Sequence, residues 1–264
     1  MDVQAYLNRI GYQGKLEPDL ALLRELQSHH IYKIPFENLD IHYGRKIRLD
    51  KDQIFQKLMV EHRGGFCYEL NGLFYFLLEE LGYRLVRISA RVYGSNGELG
   101  PEYDHLAILC QLAEGLFLVD VGFGEFSLYP LAFQTAEEIE DPRGRYRFEV
   151  YDETHFLLSK KVDEIWKAEY LFSPEDRTYQ EFEKMCEFHQ ISEHSPFTQK
   201  RVCSLAIPDG RISLLNDRLK IRKGEQTKEI DIHDEKEVKV YLDEYFGIRS
   251  DFWSEEFSNN SRPN

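Results

Sequence analysis

The chain has 264 residues and a formal net charge of −14, with 47 acidic against 33 basic side chains. So acidic a surface argues against a general nucleic-acid binder, which needs a basic face for phosphates, and the length allows two or three packed units that fold without staples. The four cysteines, at 67, 110, 186 and 203, include no CxxC pair and follow no apolar leader, so they read as reduced thiols of a cytoplasmic protein. The longest apolar run, Leu73 to Leu78, is too short to span a bilayer and keeps helical period, so no membrane partner is expected.

Helical spacing runs from Val3 through Tyr6, Leu7 and Ile10 to a stop at Gly11. A second helix is predicted from about Pro18, which suits a first turn, through Leu20, Leu23 and Leu26. Pro35 makes Ile34 to Leu39 extended, and Asp50 with Gln53 resembles a capping box ahead of Ile54, Phe55, Leu58 and Met59. Gly64 and Gly65 then interrupt the helical pattern. Leu70, Leu73, Phe74, Leu77, Leu78 and Leu81 resume it until Gly82, placing Cys67 in a first turn. Unpaired N–H groups and the positive end of the helix dipole meet there, so a thiolate is favoured.

After Gly82 the period becomes two, with Val86, Ile88, Ala90 and Val92 on one face and Arg87, Ser89, Arg91 and Tyr93 on the other. His105 to Leu112 and Leu116 to Gly122 flank Ala113-Glu114-Gly115 as a hairpin. Further strands are predicted over Tyr146 to Tyr151, Phe156 to Ser159 and Ile165 to Phe172, giving an antiparallel sheet or small barrel. Ser173-Pro174 is a helix-start signal for the face that carries Phe182, Met185 and His189. Short strands follow over 201–207, 211–215, 219–222 and 228–232, with a last helix carrying Val238, Tyr241, Leu242 and Tyr245 to a stop at Gly247, and a polar tail, Ser258 to Asn264, expected to fray. The fold class is therefore α+β, in three units: a helical one over 1–83, an antiparallel sheet or small barrel over 84–190, and short strands with a last helix over 191–264.

A nucleophilic thiol needs a base, and the base needs an orienting acceptor. Asp120 stands alone in the apolar run Leu116 to Val121, where a carboxylate is costly without donors. With Ala113 and Glu114 as the loop, paired positions sum to 227, which sets Asp120 opposite Ala107 and diagonal to His105 on the same face. The backbones would lie about 7 to 8 Å apart, within side-chain reach. A bulge at Gly115 would shift the count and send the two to opposite faces.

Ile-Pro-Phe-Glu-Asn-Leu at 34–39, Arg-Gly-Gly-Phe-Cys-Tyr-Glu-Leu-Asn at 63–71, His-Leu-Ala-Ile-Leu at 105–109, Val-Asp-Val-Gly-Phe-Gly at 119–124 and Ser-Pro-Phe at 195–197 stand in one order. Together they resemble the arylamine N-acetyltransferase family. The resemblance implies that these units are a helical bundle over 1–83, a β-barrel over 84–190 and an α/β lid over 191–264, with a cysteine-protease-like Cys-His-Asp core of Cys67, His105 and Asp120 and no metal. It also implies a ping-pong transfer from acetyl-CoA through an acetyl-cysteine to an arylamine, arylhydrazine or N-hydroxyarylamine. By the same resemblance Phe36 and Phe123 line the acyl and aromatic pocket, and Arg63 with Glu37 forms a buried structural pair. Glu125 departs from the family pattern, which often continues with glycine. Nothing here identifies the coenzyme A contacts or an oligomeric state; Lys200-Arg201 and Lys220 to Lys223 are the candidate basic runs. Three readings compete: a Cys-His-Asp hydrolase or transglutaminase-like enzyme, an amide synthase of a biosynthetic pathway, and an acidic scaffold with a pseudo-active site.

Overall fold

The computed structural model describes residues 1–94 and 96–249. Helices α1 (Val3–Ile10), α2 (Leu20–Lys33), α3 (Leu39–His42), α4 (Lys51–Phe55) and α5 (Cys67–Glu80) come first, with a π-helical turn, Gln56–Val60, after α4. Gly11 closes α1 in the left-handed region, at φ 73°. At α2 the cap is Asp19, whose carboxylate accepts from the Leu22 N–H at 2.8 Å, so Pro18 lies ahead of the helix rather than in its first turn. Asp50 accepts from the Gln53 N–H at 2.9 Å and starts α4. Leu70, Leu73, Phe74, Leu77 and Leu78 of α5 bury against Tyr6, Leu23, Leu26 and Leu58 in one core.

The two-residue strand β1 (Phe36–Glu37) interrupts this unit. Eight more strands follow: β2 (Arg84–Val92), β3 (His105–Leu112), β4 (Gly115–Val119), β5 (Leu131–Ala132), β6 (Ile139–Asp141), β7 (Gly144–Val150), β8 (Phe156–Val162) and β9 (Ile165–Phe172). Their antiparallel order is β5-β4-β3-β2-β9-β8-β7-β6, and Thr135, just past β5, bridges to Phe148 in β7. The sheet thus curls into a nearly closed barrel around Ile88, Leu109, Leu118, Tyr146, Phe148 and Tyr170. The opposite face of β2 is covered as well: Arg87 lays its guanidinium 3.8 Å from the centre of the Tyr75 ring of α5.

The hairpin register is the predicted one, with Leu112 opposite Gly115 and Ile108 opposite Val119. β4 ends at Val119, however, and Asp120 to Gly122 leave the ladder as a loop. The Ser173-Pro174 signal starts no helix. A 3-10 turn, Tyr179–Phe182, begins instead at Thr178, whose N–H donates to the Glu181 carboxylate at 2.6 Å, and runs into α6 (Glu183–Ile191).

After α7 (Pro196–Gln199), strands β10 (Val202–Ile207), β11 (Gly210–Leu215), β12 (Arg218–Lys223) and β13 (Gln226–Asp231) form the second sheet, and α8 (Glu235–Phe246) packs Val238, Leu242 and Phe246 on Leu214 and Leu219. The tail Ser258 to Asn264 lies outside the described residues. Two pieces cross the three-unit division read from the sequence. β1 pairs with β10 and so belongs to the second sheet, while Tyr179, Phe182 and Cys186 pack into the helical core.

Charges buried between these layers hold β1 in place. Arg63 reaches Glu37 at 2.7 Å and Asp40 at 2.9 Å, and Lys57 reaches Asp40 and Glu69 at 2.8 Å each. Gly64 allows the approach, because a Cβ there would come within 2.0 Å of the Pro35 carbonyl oxygen. The cluster holds three carboxylates and two cations, and burial pushes the Glu69 carboxyl up to about 7, against the attraction of Lys57. Folding therefore takes up a proton at Glu69 between its ordinary value of 4.5 and about 7. This contribution to stability is complete at low pH and lost as pH rises through the folded value. Urea unfolding at pH 5.5 and pH 8 should show the loss, and Glu69→Gln should flatten it; an unchanged slope in the variant would refute the assignment.

Candidate active site

Cys67 is the first residue of α5, and Asn71 lies one turn further on the same helix. His105 opens β3, and Asp120 follows β4, so the predicted diagonal brings imidazole and carboxylate to one place. His105 Nε2 lies 2.7 Å from Asp120 Oδ2, with both side chains buried. Asp120 accepts three further bonds: from Tyr170 Oη at 3.2 Å, from Asn71 Nδ2 at 2.8 Å and from the Gly122 N–H at 2.9 Å. A carboxylate buried among barrel aromatics is thereby satisfied on both oxygens.

The sequence reading gave Asn71 and Tyr170 no role. Asn71 is saturated: Nδ2 also donates to the Leu106 carbonyl at 2.6 Å, and Oδ1 accepts from the Val121 N–H at 2.8 Å. It joins the helix that begins with Cys67 to β3 and to the loop after β4. Its signal was available, since position i+4 from Cys67 puts a polar group on the same helix face inside an apolar run. Tyr170 had no local signal, because its hydroxyl meets Asp120 across the barrel interior. Gly122 lets the loop pass over the helix start; a Cβ there would meet the Cys67 Cα at 2.8 Å.

Cys67 and His105 line one cavity of about 450 Å³ whose other walls include Phe36, Phe123, Phe197, Val92 and Pro196. The Phe123 ring stands edge-on to His105 at 5.0 Å, and Phe36 packs against Phe197 at 6.1 Å. Phe36 and Phe123 both line this cavity. Asp120 engages Nε2 of His105, which makes Nδ1 the remaining ring nitrogen.

The expectation of an intrinsically acidic thiol needs correction. Burial pushes the Cys67 thiol well above its ordinary value; the hydrogen bond from the Leu106 backbone works against the rise but is outweighed, and the Asp104 and Asp120 carboxylates add to it. One helix N-terminus does not offset removal of a sulfur from water. A thiolate here requires a charged partner, and the His105 imidazole lines the same cavity. Burial likewise raises Cys110, Cys186 and Cys203, and none of these three lines the cavity.

Beyond Glu125, Lys160 and Val162 the cavity adjoins an open groove of about 600 Å³ lined by Arg143, Lys161, Arg211 and Arg222. Of the candidate basic runs, Arg222 lines this groove and lies 2.7 Å from Glu125, whereas Lys220 pairs with Glu229 and Arg201 with Glu235. Among the described residues no group of three or more His, Cys, Asp or Glu side chains could hold a metal, and no helix is long and apolar enough to cross a membrane.

The N-acetyltransferase family model matches residues 19–253. An arylamine N-acetyltransferase of the pineal gland of Gallus gallus is 32% identical over 276 residues, covering 95% of each chain. The structure of the Mycobacterium tuberculosis arylamine N-acetyltransferase superposes with a TM-score of 0.89 at 31% identity, over 97% of this chain and 96% of that one. The Mycobacterium marinum arylamine N-acetyltransferase, solved in complex with CoA, gives 0.85 at 31% identity over 94% and 93%. Profile, curated relative and solved structures agree over nearly the whole length, and the chain belongs to the arylamine N-acetyltransferase family.

Proposed function

We propose that this protein transfers the acetyl group of acetyl-CoA to arylamines and arylhydrazines, and to the oxygen of N-hydroxyarylamines, by a ping-pong route with Cys67 as nucleophile, His105 as base and Asp120 as its orienter. The observation that carries the reading is the His105–Asp120 contact of 2.7 Å in the aromatic-walled cavity that Cys67 lines. Family membership supplies the reaction class, and the CoA complex of the Mycobacterium marinum relative supports the donor.

In the first half-reaction the Cys67 proton passes to His105 Nδ1 as the sulfur attacks the thioester carbonyl. The C–S bond to coenzyme A breaks, and its sulfur leaves with that proton. In the second the acceptor nitrogen attacks acetyl-Cys67, gives a proton to His105, and the Cys67 sulfur departs with the electron pair of the broken bond. Asp120 fixes the ring and stabilises the imidazolium that forms in both halves. Phe36, Phe123 and Phe197 offer flat apolar faces to an aromatic acceptor and leave water few partners, which favours amine over hydrolysis. The groove cations Arg143, Lys161, Arg211 and Arg222 suit the phosphates of coenzyme A, whose thioester arm would reach Cys67 through the adjoining cavity.

Intact mass after mixing with acetyl-CoA alone should show one acetyl adduct, mapping to Cys67 and absent from Cys67→Ser; no adduct on the wild type would end the ping-pong reading. Asp120→Asn should lower kcat about 10⁴-fold, the loss typical of a triad acid. Arg222→Ala should raise KM for acetyl-CoA with kcat little changed, the pattern of lost uniform binding. Iodoacetamide on the folded protein should label Cys67 ahead of the other three cysteines, because it alone opens on the cavity; equal labelling of all four would count against this arrangement.

A further inference from the structure

Two aromatic walls of the cavity, Phe36 and Phe123, come from short pieces of chain: the two-residue β1 and the loop that follows β4. Holding either ring in one place costs conformational entropy that contacts elsewhere must offset. Both pieces are tied to one side chain of the second sheet, Arg211 near the start of β11. Its guanidinium is buried, at 7% exposure, and forks between two neutral acceptors. Nη2 donates to the Gly124 carbonyl at 2.7 Å, directly after Phe123. Nη1 donates to Ser204 Oγ at 2.8 Å, and Ser204 is the β10 residue paired with Phe36. Glu125 stands 3.6 Å from Nε and makes no hydrogen bond to it.

Burial, with Arg143 and Arg222 nearby, pushes the Arg211 guanidinium down to about 10, so it stays charged at neutral pH. Its planar fork meets two acceptors at once, which a single ammonium does not. Behind the rings there is little slack. A cavity of about 20 Å³, room for about one water, is bounded by Phe36, Phe123, Gly124, Ser204 and Arg211.

We infer that Arg211 is a positioning residue for the acceptor pocket: by joining the Gly124 carbonyl to Ser204 it fixes the separation of Phe123 and Phe36, and so selects narrow, flat arylamines over broader ones. The inference rests on the proposed transfer reaction. An aromatic ring gains dispersion from apolar walls only at contact distance, and a gap of about 0.5 to 1 Å already forfeits a quarter to a half of it. A pocket loosened by that much grips a narrow ring less well and admits a wider one. The nitrogen of the narrow amine is then aimed less well at the acetyl-Cys67 carbonyl. Arg211 touches neither amine nor thioester in this scheme; it acts through the two rings.

The test uses enzyme acetylated on Cys67 and freed of coenzyme A by desalting, so that any part Arg211 takes in holding phosphates drops out of the measurement. Single-turnover transfer is timed with aniline and with 3,5-dimethylaniline, whose methyl groups broaden the ring without crowding the nitrogen. Arg211→Lys keeps the charge and loses the fork; Ser204→Ala keeps the arginine and removes one of its two acceptors. The wild type should favour aniline. Arg211→Lys should cut that preference about tenfold, the scale of one charge-assisted hydrogen bond, and Ser204→Ala should cut it by less, in both cases because aniline slows more than its dimethyl analogue. Should Arg211→Lys fail to fold, Ser204→Ala decides alone. The wild-type preference retained in either folded variant, or both amines slowed by one common factor, would overturn the inference; the common factor is what a merely structural arginine gives. A wild type without the preference would overturn it too. Absence of the acetyl adduct in the wild type would instead refute the underlying reaction.

Discussion

Four donors converge on the Asp120 carboxylate: the His105 ring, the Asn71 amide, the Tyr170 hydroxyl and the Gly122 N–H. They come from β3, α5, β9 and the loop after β4, so one buried charge fixes helix, hairpin and barrel wall relative to one another. A carboxylate in that position is tolerated only with its donors in place, and its donors are set only when the barrel has closed on the helix. Site and fold are consequently one object. A change that loosens the barrel near Tyr170 reaches the imidazole without touching it.

The five-charge cluster of Glu37, Asp40, Lys57, Glu69 and Arg63 does comparable work one layer below. It anchors β1, which carries Phe36 to the cavity and pairs with β10 of the second sheet. Charges so buried are weak evidence of net stability, because desolvation offsets much of their attraction. Their geometry specifies where β1 sits. Glu69 also accepts the Phe66 N–H at 3.2 Å, so the cluster ends at the cap of the helix that begins with Cys67.

Burial and reactivity oppose each other at Cys67. Water is excluded from the sulfur, which raises the cost of ionising it alone. The same exclusion strengthens any ion pair it makes with an imidazole. In the proposed transfer the thiol ionises together with His105 and so acquires its charge where a thioester can use it.

Much of this was legible in the chain itself. The apolar period placed α5 and set Cys67 at its start; alternation placed β2; and counting across the Ala113-Glu114 turn gave the register that puts His105 and Asp120 on one face. These are local regularities, fixed by backbone geometry over a few residues. Helix starts were less secure. Asp19 and Thr178 outcompeted Pro18 and Ser173-Pro174 because a side-chain oxygen that satisfies an N–H outweighs a preference in φ. Tertiary structure alone decided the rest: that Tyr170 crosses the barrel to Asp120, that β1 joins Cys203 and Ser204 of a distant strand, that Arg222 meets Glu125, and that the environment of Cys67 raises its thiol rather than lowering it. Each depends on desolvation or on contacts between residues far apart in the chain, and no pattern of neighbours encodes how much water a finished fold will exclude.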